Sequence, residues 1–382
     1  MADQDDDEVN PVAVQRSANF LLAKEIQAGK IKPCTRSAYQ RKVEILNQFL
    51  KGSHPNYYDS EKEICKLPLP ADILAEFMAT ISMVKDKKTK VMKQASCAHV
   101  GGYRSVIVDL YKSNNLKFDD DAVIGMPDFS SGYKRLVAEK KLTGEMVVQE
   151  GKSPITFGGY NFVAEHAMTM KEDFHQSMFA HLFLLLCWNL IARSVSVGTI
   201  MLQHISWEQD AMVITTPKHK GDQEGNNCYP KHVYANPVNP AICPILSMAL
   251  LIFGGGWQRA GAKHMLFRGT ATEGRFSKWL KGIMTSEGAS MVSLGIIAFD
   301  IGTHSFRKGV ATFVAGCVAG PSPISIFLRA GWSLGVVTSR YIFTGQGGDQ
   351  VICLEYCLLL FDLYYVLKHP IYVFSIFFIN SS

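Results

Sequence analysis

Four residues near the end of the chain have the types and spacing needed for phosphoryl transfer to a tyrosine. His304 and Arg307 stand three apart in GTHSFRKGVATFV, Trp332 follows in LRAGWSLG, and Tyr341 comes nine residues after the tryptophan. A phenol attacking a phosphodiester needs donors that hold the non-bridging oxygens and spread the charge developing in the transition state. A planar guanidinium suits that task. The small and apolar residues alternating after Arg307 predict a helix with His304 and Arg307 on one face, where both can address one anion. A His-x-x-Arg pair by itself is common on solvated helices, so the specificity lies in the ordered set.

Two upstream segments supply further cations. Arg193 closes the apolar run HLFLLLCWNLIAR, where its ordinary role would be to offset a helix dipole. Lys218 and Lys220 lie in MVITTPKHKGDQEGN, which reads as a strand entering a polar turn. Arg, Lys, His-x-x-Arg, Trp and Tyr now follow in one order. In this order the chain resembles the tyrosine recombinase (phage integrase) superfamily, and HKGDQEG, GTHSFRKG and LRAGWSLG are similar to the recombinases of Crypton-type eukaryotic DNA transposons. The resemblance spans about residues 34–350 and is concentrated in 185–225 and 300–345.

The resemblance implies a role for each residue. Tyr341 attacks the scissile phosphate and forms a 3′-phosphotyrosyl link. Arg193 and Arg307 clamp the phosphate oxygens. Lys220, before Gly221 and Asp222 at the turn, protonates the departing 5′-hydroxyl, with Lys218 two residues back as the alternative. His304 completes the pocket by hydrogen bonding or proton handling, and Trp332 by packing and its indole N–H. Tyr356, Tyr364, Tyr365 and Tyr372 lack the family's spacing from the tryptophan. Many relatives carry an acidic residue three positions after the first arginine, where this chain has Ser196. Because the phosphotyrosyl bond keeps the ester's energy, a 5′-hydroxyl of a second strand can reverse the step with no cofactor and no metal. The implied partner is double-stranded DNA, held as two duplexes by four protomers, with no membrane and no small-molecule substrate. A catalytically inactive DNA-binding remnant and a topoisomerase that relaxes DNA are the other functions compatible with these features.

Composition agrees with a folded protein that meets a polyanion. The 382 residues are 47% hydrophobic, enough for a sizeable core in two domains. Net charge is +5, yet MADQDDDEVN holds five acidic residues and no Lys or Arg, so the remainder is more basic than the whole. Such a surface favours nucleic acid through counterion release. Nine cysteines without a CxxC pair read as reduced thiols, and the acidic start predicts no secretory signal. The expected compartment is intracellular: the nucleus in a eukaryotic host, otherwise the cytoplasm. No His and Cys spacing suggests zinc, and Gly254–Gly256 lacks the strand and lysine of a phosphate loop.

The elements that must position these residues predict a mainly α fold with a small antiparallel β-sheet, and the resemblance implies its division into a helical core-binding domain and a catalytic domain. Residues 1–33 read as an acidic, poorly ordered arm with a short helix over 18–27. The core-binding domain, 34–145, has helices from Cys34 with Thr35 as N-cap, over 70–83 and over 96–112. Between the last two, KDKKTKVMK carries Lys85, Lys87, Lys88, Lys90 and Lys93, which with Arg104 predict a surface for DNA phosphates. Residues 146–155 are the linker. The catalytic domain, 156–350, has helices over 160–168 and 173–191, strands over 204–207, 212–217 and 228–234, and then helices leading to Tyr341. Residues 351–382 form an aberrant apolar tail, read either as a shifted frame or retained intron or as a packed helix. Glu355, Asp362, Lys368 and Pro370 interrupt it, so no run of about 20 apolar residues exists to span a membrane.

Overall fold

The computed structural model describes residues 11–86, 89–148, 151–169, 174–218, 222, 224–225, 229–254, 264–317 and 320–332. The chain divides into two compact units, Met1–Glu150 and Gly151–Ser382. The expectations for Lys87, Lys88, Lys220, Tyr341 and the apolar tail lie outside the described residues.

In the first unit, α1 (Pro11–Ala28) and α2 (Pro33–Ser53) lead into the short pair β1 (Tyr58–Asp59) and β2 (Ile64–Cys65). They are followed by α3 (Ala71–Ile81), β3 (Met83–Lys85), β4 (Met92–Gln94), α4 (Cys97–Ser113) and α5 (Asp120–Leu142). Leu46, Leu50, Leu74, Phe77, Val100, Ile107, Met126 and Val137 bring α2 to α5 into one core. Full burial of each such side chain stabilises by about 1.5–3 kcal/mol. Two buried phenols find backbone partners: the Tyr111 hydroxyl donates to the Leu69 carbonyl at 3.1 Å and the Tyr133 hydroxyl to Ala95 at 2.7 Å.

Several local expectations are corrected here. The short helix expected over 18–27 extends from Pro11 to Ala28. Helix α2 starts at Pro33, so Thr35 is not its N-cap: proline fixes φ and gives up an N–H that the first turn leaves unpaired in any case. Helix α5 was not anticipated, because Gly125, Pro127 and the Ser-Ser-Gly stretch interrupt its periodicity. It forms nonetheless, with Asp119 accepting from the Ala122 N–H at 2.7 Å and its apolar face buried. The helix expected over 70–83 ends at Ile81, and Met83 starts β3, which pairs with β4 on either side of the lysine-rich run, Met83 with Gln94 and Lys85 with Met92.

The second unit contains α6 (Phe157–Thr169), α7 (Phe174–Asn189) and α8 (Ser194–Gly198), then β5 (Ile205–Glu208), β6 (Ala211–Thr215) and β7 (Pro230–Val233). It continues with α9 (Pro244–Ala249), α10 (Thr272–Ser286), α11 (Gly288–Ser293), α12 (Thr303–Gly316) and α13 (Pro323–Ala330). Helix α7 is buried all round from Ser177 to Asn189, as a helix apolar on every face must be, and is the centre of the unit. Tyr160 of α6 stacks on Trp188 with ring centres 4.1 Å apart. The three strands form an antiparallel meander in the order β5-β6-β7, pairing Ser206 with Val213 and Val213 with His232. The mainly helical fold with a small antiparallel sheet is therefore the expected class. Strand β6 ends at Thr215, two residues before the expected limit, which leaves Lys218 exposed in the loop rather than on the strand.

Helix α12 carries the His-x-x-Arg pair. It starts where the Gly302 N–H donates to Ser305 Oγ at 3.0 Å, and it lies against the segment before α6, with the Ile155 N–H donating to the Ser305 carbonyl at 3.2 Å. Position 309 must be glycine for this approach, since a Cβ there would collide with the Ile155 carbonyl oxygen. Among the described residues, no helix is long and apolar enough to cross a membrane.

Candidate active site

Arg193 owes its place to the way α7 ends. The Ile191 N–H donates to the Trp188 carbonyl at 3.0 Å and the Ala192 N–H to Cys187 at 3.2 Å, the bond pair of a Schellman turn. That turn requires a left-handed residue, and here it is Ile191, with φ 46° and no solvent exposure. A β-branched residue in this region stores strain of about 1–3 kcal/mol and persists only where its surroundings enforce it. The chain then reverses, and Arg193 stands as the N-cap of α8 rather than as a charge on the last turn of α7.

The enforcing contacts come from two other cations. Lys231 on β7 donates through Nζ to the Leu190 carbonyl at 3.1 Å. Arg329 on α13, only 3% exposed, donates to the Asn189 carbonyl through Nε at 3.0 Å and Nη2 at 2.8 Å, and through Nη2 to the His232 carbonyl at 2.7 Å.

Arg307 reaches the same place from α12. It is buried, donates to the Ala330 carbonyl, and has its Cζ 5.4 Å from the centre of the Trp332 ring. The tryptophan is half-buried and arrives there because α13 ends in a left-handed glycine: Gly331 has φ 62°, and the Trp332 N–H donates back to Phe327 at 2.9 Å. A side chain at position 331 would meet the steric cost that glycine avoids.

These segments line a small, partly open cavity of about 20 Å³, bordered by Arg193, Ser196, Thr216, Lys231, Arg307 and Ala330, among others. Burial and, after it, the nearby Arg193 charge hold the Arg307 guanidinium down to about 10. Two guanidinium groups that repel each other around one small cavity form a seat for an anion, whose arrival offsets both the lost solvation and the repulsion. The structure thus brings together Arg193, Arg307 and Trp332 of the expected set. His304, one turn earlier on α12, is exposed and is not among the lining residues, and Lys218 is exposed beyond β6.

Lys231 and Arg329 were missed by sequence reasoning. Lys231 faces the cavity because its register on β7 pairs it with Ile214, a relation invisible until the strands are aligned. Arg329 sits in the quoted LRAGWSLG segment, but nothing local marks an arginine for burial. Cys187 is fully buried and its thiol is pushed up by that burial, which makes it a packing residue. Among the described residues, no group of three or more His, Cys, Asp or Glu is placed to hold a metal ion.

In the first unit, Lys85, Lys90 and Lys93 share the β3–β4 hairpin, while Arg104 is on α4. Lys85 and Lys90 are exposed, and Lys93 pairs with Asp86 at 2.6 Å, which reduces the charge it can offer to another anion.

No protein-family model matches the sequence, and no curated protein matches it. Solved structures do. The Tn1549 transposon integrase in complex with transposon right end DNA is similar over 88% of this chain and 98% of that one, with a TM-score of 0.54 and 12% identity. The XerH site-specific recombinase bound to difH substrate in a pre-cleavage complex matches at 13% identity and a TM-score of 0.42, over 71% of this chain, which spans 66% of that one. An FLP recombinase–Holliday junction complex matches at 11% identity and a TM-score of 0.37, over 86% of this chain and 84% of that one. The likeness to the transposon integrase shows a shared fold.

Proposed function

We propose that this chain cleaves and rejoins DNA strands as a tyrosine recombinase of a mobile element, most like the Crypton type, through a covalent 3′-phosphotyrosyl intermediate. The observation that carries the reading is the convergence of Arg193 and Arg307 on one small cavity beside Trp332, on a fold shared with a transposon integrase. The scissile phosphate occupies the cavity, and the two guanidinium groups bind its non-bridging oxygens. The Tyr341 oxygen attacks phosphorus while the bond to the 5′ oxygen breaks. The phenol proton leaves to His304 or to solvent, and the departing 5′ oxygen takes a proton from Lys220, with Lys218 as the alternative donor. Attack by a second strand's 5′-hydroxyl restores the tyrosine and completes rejoining. Four protomers on two duplexes are the assembly that this chemistry uses in the family, and the nucleus of a eukaryotic host is the proposed compartment.

The test is a nicked suicide duplex built from the DNA flanking the gene, whose cleavage traps the protein on the 3′ end. Wild type is expected to give a denaturant-resistant adduct. Tyr341→Phe is expected to give none while keeping nearly all DNA affinity, because one hydroxyl adds little to a phosphate-dominated surface. An adduct that persists in the Phe variant moves the nucleophile to another tyrosine. Binding without any adduct from wild type favours the inactive remnant, and relaxation of DNA by monomers favours the topoisomerase.

A further inference from the structure

We infer that Arg329 is a positioning residue for the phosphate seat: by tying the strained end of α7 to β7 and α13, it sets the separation and aim of Arg193 and Arg307. The inference rests on the strand-cleavage reading of the same cavity. Its basis is the position of each partner. Asn189 is the last residue of α7, two before the left-handed Ile191 and four before Arg193. Arg329 gives that carbonyl two donors, at 3.0 and 2.8 Å, so the unpaired carbonyl end of α7 meets a full positive charge. Its Nη2 also holds the His232 carbonyl at 2.7 Å, next to Lys231, which caps the following carbonyl at Leu190.

The residue after Arg329 is Ala330, whose carbonyl accepts from Arg307, and two residues further is Trp332, over which Arg307 lies. One planar, buried side chain therefore fixes three segments that carry or contact both phosphate-binding arginines. A guanidinium suits this place because its fork presents several donors in fixed directions, whereas an ammonium on a flexible stem does not. The strain at Ile191 gives the tie a specific task. Without it, the turn can relax toward an ordinary conformation, and Arg193 moves with the turn. A displacement of about 1 Å in a catalytic group can cost about 10²-fold in rate.

The test uses the full chain with Arg329→Met, Arg329→Lys, Arg307→Ala and the Arg307→Ala, Arg329→Met double variant. Hydrogen exchange is read by mass spectrometry over residues 186–193 and 323–332, and single-turnover cleavage is measured on the suicide duplex. Arg329→Met is expected to exchange faster in both segments, with α10 unchanged. It is expected to bind DNA as wild type does and to cleave about 10²-fold more slowly. Arg329→Lys is expected to fall between the two, and it carries both readouts if the Met variant does not fold. Because part of the effect of Arg329 runs through Arg307, the double variant is expected to lose less than the product of the two single effects. Unchanged exchange in both segments overturns the inference. So does faster exchange with wild-type cleavage, or a double variant slowed by the full product of the single effects. If wild type forms no adduct, the strand-cleavage reading fails, and the exchange data still decide whether Arg329 holds the turn.

Discussion

Arg193→Ala is expected to raise or preserve stability in the DNA-free protein while nearly abolishing cleavage. The side chain is half-buried, its α8 cap role is made by backbone and not by the guanidinium, and its charge acts against Arg307. Holding Arg307 down to about 10 corresponds to roughly 3 kcal/mol of destabilised cation at 1.36 kcal/mol per pH unit. Burial is the larger cause and Arg193 the smaller, so removal of Arg193 returns about 1 kcal/mol or less. For a unit of this size that is a gain of about 2–4 °C in melting temperature at most. Cleavage should fall by about 10²–10³-fold, the scale for losing one preorganised charge stabiliser. Calorimetry in low-salt buffer, repeated with inorganic phosphate, reads both halves of the balance. Phosphate should stabilise wild type more than the variant, because the anion relieves a repulsion that only wild type has. A melting temperature several degrees lower for Arg193→Ala without phosphate, or equal phosphate-induced shifts in the two proteins, would refute the anion-seat argument.

Three further outcomes can be checked independently. If Lys220 is the general acid, a substrate with sulfur in place of the bridging 5′ oxygen should restore cleavage to Lys220→Ala, since a thiolate leaves without a proton, and should do little for Arg307→Ala; rescue of Lys218→Ala alone would move the acid by two residues. His181 is fully buried, with Nε2 donating to the Ala241 carbonyl at 2.6 Å and Nδ1 accepting from the Ser247 hydroxyl at 2.8 Å, so burial keeps it neutral and lowers its proton affinity. Its contribution is complete above the unfolded value of about 6.5 and is lost as pH falls below it, because the unfolded chain takes up a proton that the folded one resists. Urea midpoints at pH 7.5 and 5.5 should therefore differ more for wild type than for His181→Gln, and parallel behaviour would be evidence against this reading. Gly309→Ala drives a methyl group into the Ile155 carbonyl oxygen and should lower stability by about 1–3 kcal/mol, measured by denaturant unfolding, with an unchanged midpoint counting against the close packing of α12.

Much of this protein is determined by sequence alone, where the information is local. The all-round apolar run that became α7, the short strands β5 and β6 set off by polar turn residues, and the residue types His304, Arg307 and Trp332 were legible because apolar runs, turn signals and residue chemistry act over a few neighbours. The Lys85–Lys93 run was legible as charge but not as a hairpin, since β3 and β4 are stabilised by each other rather than by intrinsic preference. Helix α5 stayed hidden for the converse reason: Pro127 and the glycines argue against a helix locally, and burial of Met126, Tyr133 and Val137 overrides them. Tertiary structure alone decided that Arg307 is buried and His304 exposed on the same helix, and that Lys231 turns toward the cavity. It also decided that Arg329 joins segments 140 and 97 residues away in the chain. A guanidinium carries no local sign of whether water or a buried carbonyl will satisfy it. That choice depends on where three distant backbone segments meet, and the energy that settles it, the cost of leaving the last carbonyls of α7 unpaired, exists only once the core has closed around them.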